Sequence, residues 1–278
     1  MVSRDRLKNI KNILELNNDK ALGIDKLYDI LTAIKEEDDT TFLKTILDLC
    51  NNDTKLIEII FTAIKHEPEY EDDILDSVSD SQVKAKRKLV DNLDKLNLLN
   101  KDTEVVIFGC WYGSILIPLL HDKVKKITAI DADDHAISIG QNRFFYEYDN
   151  VDWITADVFE DYRDVYDKAD IFINTSCEHM KPMYLWGPIG PRSIWKDNPF
   201  ITGDWLEHKT YKIPWWDRVK STAHFAFTSN NMYDIAGHIN CVSSLLEFKG
   251  QLPPKAKVLQ EDEITDERGT RFMLIGKI

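Results

Sequence analysis

Residues 104–114 read Glu-Val-Val-Ile-Phe-Gly-Cys-Trp-Tyr-Gly-Ser, and residues 127–131 read Ile-Thr-Ala-Ile-Asp. The first run is an apolar strand closing on a glycine turn. A short apolar helix follows, and then a second strand ending on a carboxylate. In an α/β sheet this order builds a nucleoside pocket, because glycines let a ligand approach the backbone and the acid receives ribose hydroxyls. Trp111 stands where the middle glycine of such a turn usually falls, so the ligand has to be argued from residues further along.

Working outward toward the C-terminus, short apolar runs recur at intervals of roughly 20 residues, the rhythm of strands alternating with helices in a parallel sheet. The expected strands are 104–108, 126–130, 151–155, 169–174 and 222–228. A helix is expected over 236–248, then two runs, 256–264 and 270–277, joined by Asp-Glu-Arg-Gly. That tetrapeptide has tight-turn composition and makes the two runs a hairpin. The expected fold class is therefore α/β: a Rossmann-like, doubly wound sheet, mostly parallel with a C-terminal antiparallel hairpin. Nicotinamide dehydrogenases would show six parallel strands instead.

Toward the N-terminus the pattern changes. Residues 1–98 contain no glycine except Gly23 and no proline except Pro68, and apolar residues recur at helical intervals. Leu7, Ile10, Ile13 and Leu14 form one stripe; Leu27, Ile30, Leu31 and Ile34 form the next. Asn-Asn-Asp-Thr at 51–54 and Glu-Pro-Glu at 67–69 read as breaks, with Asp53 or Thr54 as a cap, and a last helix is expected over 82–99. The expected organisation is an all-α N-terminal domain, 1–98, followed by the sheet domain, 99–278. A homodimer through the helical part is an open alternative.

Composition bounds the partners. A chain of 278 residues, 43% of them hydrophobic, can bury a real core. Its formal net charge of −13 argues against nucleic acid, whose phosphates call for clustered Lys and Arg. The one dense basic run, Lys84, Lys86, Arg87 and Lys88, falls in an expected helix and reads as a solvated face. No apolar run approaches the roughly 20 residues of a membrane span, and the N-terminal residues lack the apolar centre of a signal peptide, so a cytoplasmic location is expected. Cys50, Cys110, Cys177 and Cys241 show no paired spacing and read as reduced thiols. Cys177-x-His179 and His238-x-x-Cys241 offer sulfur and nitrogen donors that suit zinc, but such pairs arise readily by chance, and no metal site is assigned.

On these residues the stretch 103–278 resembles the class I S-adenosylmethionine-dependent methyltransferases, whose sheet ends in such a hairpin. The resemblance implies S-adenosylmethionine as cofactor. Gly109 and Gly113 would lie beside its methionine part, Asp131 with the following Ala132 would hold its ribose, and Asp157 and Val158 would meet its adenine. Asp-Ile-Phe-Ile-Asn174 stands in the family's fourth-motif position. Family members commonly carry an acid where this chain has Ile107 and a second glycine where it has Trp111. Without that acid the usual anchor of the cofactor amino group is missing. Trp111 then offers either a core or lid aromatic or an indole wall beside the sulfonium, a cation–π contact worth about 0.5–2 kcal/mol. Trp-Tyr-Gly at 111–113 and Asn-Thr-Ser-Cys-Glu-His-Met at 174–180 are also similar to phage-encoded methyltransferases, which would place the chain in a host cytoplasm.

In open α/β sheets ligands bind outside the carboxyl ends of the strands. Strand four delivers Asn174, Glu178 and His179, the candidate catalytic residues: Asn174 to bond acceptor or cofactor, Glu178 or His179 to remove a proton. The alternative is capping and backbone bonding. Asn230 and Asn231 at the end of strand five, with His238 beyond, are candidate substrate contacts or simply turn residues. Cys177 as a nucleophile is disfavoured, since methyl transfer needs no covalent intermediate. Residues 181–221, with Trp186, Trp195, Trp205, Trp215 and Trp216, form an aromatic and Pro-rich insertion read as a substrate-selecting wall or lid; an aromatic plug packing the helical domain onto the sheet and a partner-binding surface are the alternatives. The expected activity is methylation of oxygen or nitrogen on a small-molecule or peptidic acceptor. The alternatives are an RNA or DNA methyltransferase, transfer of another group of the same cofactor, and a scaffold without catalysis.

Overall fold

The computed structural model describes residues 63–64, 66–145, 147–157, 163–183, 216, 219–253 and 255–278. The helices expected before residue 63, the cap at Asp53 or Thr54, Cys50, Val158, and Trp186, Trp195, Trp205 and Trp215 of the insertion lie outside the described residues.

The central strand β1, Glu104–Phe108, is Val-Val-Ile-Phe after its first residue, apolar on both faces as a strand covered on both sides must be. The other strands are β2 Lys126–Asp131, β3 Val151–Thr155, β4 Ile171–Asn174, β5 His224–Asn230, β6 Lys257–Asp266 and β7 Gly269–Lys277. They form one sheet in the order β3-β2-β1-β4-β5-β7-β6. Strands β1 to β5 run parallel, and β7 is antiparallel to both its neighbours. The fold is thus Rossmann-like and mostly parallel with a C-terminal antiparallel hairpin, as the sequence leads one to expect. The hairpin turns at Glu267-Arg268, where Asp266 Oδ1 accepts the Arg268 amide at 2.9 Å and Gly269 takes a φ of 148° that a side chain would disfavour.

Alternate side chains of the strands feed two cores. On one face Val105, Ile107, Ile127 and Ala129 pack beneath helical residues Val83, Leu89, Val90 and Leu93. On the other, Val106, Phe108, Phe172, Phe225 and Phe227 pack beneath Tyr166 and Phe248. The chain before the sheet passes through a 3₁₀ turn, Pro68–Tyr70, opened by proline at its first position, and two helices, α1 Glu71–Ser77 and α2 Asp80–Lys95. Helix α2 ends at Lys95 rather than Leu99 because Asn97 adopts the left-handed conformation, φ 56°, that stops a helix. Its apolar face belongs to the same core as the sheet, so the described helices and the sheet are packed as one body. Among the described residues no helix is long and apolar enough to cross a membrane.

One expected element is corrected. The helix over 236–248 is reduced to Leu245–Lys249, capped by Ser244. Gly237 lies at φ 84°, and the amides of Ile239 and Asn240 donate to the Glu178 carbonyl at 2.8 and 2.9 Å, while Val242 donates to the Asn230 carbonyl at 2.9 Å. Donors committed to other parts of the chain cannot close an i→i−4 ladder, so 236–244 is a loop laid across the strand ends.

Candidate active site

The strand order reverses between β1 and β4, and there the carboxyl ends of neighbouring strands open a crevice. A cavity of about 690 Å³ occupies it, a size usual for small-molecule sites. Gly109, Trp111, Asp131, Ala132 and Asp157 line one part; Glu178, His179 and His238 line another.

The turn after β1 holds three tight positions at alternate residues. Gly109, Trp111 and Gly113 have φ of 59°, 50° and 66°. The middle position therefore keeps the backbone that calls for glycine although tryptophan fills it, at a cost of about 1–2 kcal/mol. Asp131 offsets that cost: its Oδ2 accepts the Trp111 amide at 2.7 Å, and its Oδ1 accepts the Asp133 amide at 3.0 Å. Burial raises the Asp131 pKa, and these backbone bonds oppose the rise. The Ala132 amide bonds Asp131 as well, and a carboxylate offers about four lone-pair sites, so not all of them are taken. The Trp111 ring lies against that of Tyr112, centroids 5.0 Å apart. The φ of 59° favours glycine at position 109, where the β1 and β4 turns cross and a Cβ would press on the flexible end of Met180. Gly113 is not among the cavity-lining residues; a Cβ there would collide with Ile117, so its glycine serves helix packing.

On the acceptor side, Glu178 is 3% exposed. Its Oε1 accepts from Asn230 Nδ2 at 2.6 Å, and its Oε2 is buried without a hydrogen-bond partner among the described residues. Burial pushes its pKa up to about 7, with its own backbone amide, then Arg271 and Lys86, opposing. The rings of His179 and His238 meet edge to face, centroids 4.5 Å apart. Both histidines are pushed down, chiefly by burial.

The three asparagines do other work. Asn174 is fully buried; its Oδ1 accepts the Ser176 amide at 2.8 Å and its Nδ2 faces Met180 Sδ at 3.1 Å, so it shapes the turn after β4. Asn230 supports Glu178 and accepts the Met232 amide at 2.9 Å. Asn231 Oδ1 accepts the Thr270 amide at 2.8 Å and ties β5 to the hairpin. None of them lines the cavity. Cys177 is also withdrawn, its Sγ directed at the Asn174 carbonyl and its thiol pushed far up by burial. It does not converge with His238 and Cys241.

Two nearly buried cations that sequence reasoning passed over also line the wall. Lys86 of α2 and Arg271 of β7 line the cavity at 9% and 7% exposure. Burial, then Arg271, lowers the Lys86 pKa to about 8. The signal for Lys86 was present: Val83, Lys86, Val90 and Leu93 fall on one helical stripe, three of them buried apolar residues. The basic run is therefore not one solvated face; Lys88 pairs with Asp262 at 3.0 Å while Lys86 turns inward.

No family model matches the sequence, and no curated protein matches it. Among solved structures, the chain is similar to the N-methyltransferase NodS from Bradyrhizobium japonicum in complex with S-adenosyl-L-homocysteine. The identity is 11%, with 81% of this chain and 98% of that chain covered and a TM-score of 0.49. Magnesium protoporphyrin IX methyltransferase from Synechocystis with bound SAM gives 13% identity, 72% and 82% coverage and a TM-score of 0.47. A SAM-dependent methyltransferase from Aquifex aeolicus gives 14%, 68% and 89%, and 0.43. The fold assignment itself rests on the sheet order and register of this chain.

Proposed function

We infer that the protein is an S-adenosylmethionine-dependent methyltransferase acting on oxygen or nitrogen of a small-molecule or peptidic acceptor. The observation that carries this reading is one continuous cavity. It joins the β1 turn, Asp131 and Asp157 to Glu178, His179 and His238 at the ends of β4 and β5. The residues fit the cofactor: Asp131 keeps lone pairs for ribose hydroxyls, Asp157 stands where an adenine contact is needed, and Trp111 offers a ring in place of the missing acid at Ile107. Val158, adjacent to Asp157, belongs to the same proposed contact.

When bound, the cofactor supplies a methyl group on a good leaving group. The chain's own residues then have to align an acceptor and hold its proton. Glu178, pushed up to about 7, is the lining group suited to taking one near neutrality, and His179 beside it is the second candidate. Lys86 and Arg271 give that end of the cavity two nearly buried cations, which favours an acceptor bearing a carboxylate or phosphate. Carboxylates elsewhere on the wall and the net charge of −13 disfavour RNA and DNA. A phage origin and a host-cytoplasm location belong to this reading through the sequence motifs alone.

Calorimetry with S-adenosylmethionine and S-adenosylhomocysteine tests it. Both are expected to bind one per chain, about tenfold or more weakly after Asp131→Ala, as fits loss of a charged hydrogen-bond acceptor. Trp111→Gly is expected to weaken S-adenosylmethionine by about two- to thirtyfold, the span of a cation–π contact. A folded protein that binds neither would leave the scaffold reading in its place.

A further inference from the structure

Glu178 presents an unusual imbalance. One carboxylate oxygen is bonded to Asn230, and the other is buried and unmet among the described residues. Buried polar atoms in native proteins are nearly always partnered, so an orphan carboxylate oxygen on a cavity-lining residue calls for a cation or a donor from outside the described residues. Two imidazoles stand beside it. One ligand-type atom each of Glu178, His179 and His238 lies within 4.8 Å of the others.

The outer bonds of the histidines point the same way. His238 Nδ1 lies 2.9 Å from the Met232 carbonyl, which can only accept, so Nδ1 carries the proton and Nε2 is left with its lone pair. His179 Nδ1 rests against Gly237, and its ring is hydrogen-bonded to the Gly237 backbone. Metal-ligating histidines commonly have their second nitrogen held in this way. The loop carrying His238 is itself pinned to the Glu178 carbonyl by the Ile239 and Asn240 amides, so the three side chains are positioned together.

We propose that Glu178, His179 and His238 form a binding site for a divalent transition-metal ion. Two imidazoles and a carboxylate suit Zn²⁺, Fe²⁺, Mn²⁺ or Co²⁺ rather than Ca²⁺ or Mg²⁺, and three protein ligands leave positions open to an acceptor oxygen. Metal bonds of about 2.1 Å bring ligand atoms to roughly 3–3.5 Å apart, so the set closes by about 1 Å when an ion enters. Sulfur takes no part: Cys177 is withdrawn, and Cys241 Sγ lies 3.6 Å from His238 Nδ1, on the side away from the free nitrogen. Arg271 and Lys86 repel an ion at this place, which makes an anionic acceptor, shared between them and the metal, the natural fourth ligand.

Co²⁺ alone is the probe, titrated into the tag-free full chain and followed by visible d–d absorption. One ion per chain is expected, weakened by more than about a hundredfold in His238→Ala and in Glu178→Gln, beyond the loss typical of outer-shell changes. His238 is half-exposed on a loop, so its variant remains folded even where the Glu178 variant does not, as the thermal transition will report. Cys241→Ser is expected to bind as tightly as the parent, and Lys86→Met more tightly because a like charge is gone. Failure of the folded parent to bind Co²⁺ in stoichiometric amount overturns the site. So does unchanged binding in His238→Ala, equal loss in Cys241→Ser, or weaker binding in Lys86→Met. The metal stands apart from the cofactor: Co²⁺ binding without S-adenosylmethionine binding would keep this site and sink the methyltransferase reading, and the converse would do the reverse.

Discussion

Lys86 is the residue on which fold and site make opposing demands. Its stem completes an apolar helix stripe, while its ammonium is buried beside Arg271, with Asp76, Glu178 and Cys110 pulling the other way. Burial dominates and lowers its pKa from 10.5 to about 8. Between those values the unfolded chain still holds the proton that the folded chain has released, so stability rises with pH across that window. Relative to Lys86→Met, the parent is expected to gain about 3 kcal/mol between pH 8 and 10.5, read by chemical denaturation at a series of pH values. Below pH 8 the difference stays constant. Single residues were only partly legible in the sequence. The glycine turn and Asp131 declare themselves because their backbone and charge are demanded locally. Asn174 and Asn230 look identical in the sequence whether their amides face a ligand or the chain itself; Asn174 shapes a turn, and Asn230 divides its amide between a turn and Glu178. Lys86 was hidden by Lys84, Arg87 and Lys88 around it, which make an inward residue look like part of an outward patch.

At the level of elements, strands were read almost to the residue and the segment after β5 was not. Strands announce themselves by apolar runs that need no knowledge of the neighbours. The loop 236–244 has a helix-compatible sequence but spends its donors elsewhere. Asn240 shows where: its Nδ2 donates to the Cys177 carbonyl at 3.2 Å, and its amide exchanges two hydrogen bonds of 2.9 Å with Gln251, which is nearly buried. Replacing it leaves the Gln251 amide unpaired as well. Asn240→Ala is expected to destabilise the protein by about 1–3 kcal/mol and to speed amide exchange at Ile239, measured by denaturation and hydrogen exchange. Exchange at Ile239 unchanged from the parent would mean that the loop is held by its backbone bonds to Glu178 alone.

At the level of the whole molecule, the composition boundary near residue 98 runs through a shared core. Val83, Leu89, Val90 and Leu93 of α2 pack with Val105, Ile107, Met273 and Ile275 of the sheet. Polar contacts follow the same seam, from Ser81 to Asp266 at 2.5 Å and from Asn92 to Met273 Sδ at 3.4 Å. A fragment comprising residues 99–278 is therefore expected to lose its cooperative thermal transition and to bind a hydrophobic dye. A sharp transition like that of the full chain would show that the sheet stands without α2.

The position of β7 has a bearing on how the chain is made. It is the last strand in sequence but an inner one in the sheet, seated between β5 and β6. At a synthesis rate of roughly 5–20 residues per second, β5 waits with one edge bare until the hairpin has left the ribosome. Arg271, part of the cavity wall, arrives with that same hairpin. A small molecule that fits the cavity can stabilise only a conformation that contains it, so no ligand can shelter the nascent chain through this interval. Protection of the open β5 edge has to come from a chaperone or from the speed with which the hairpin docks.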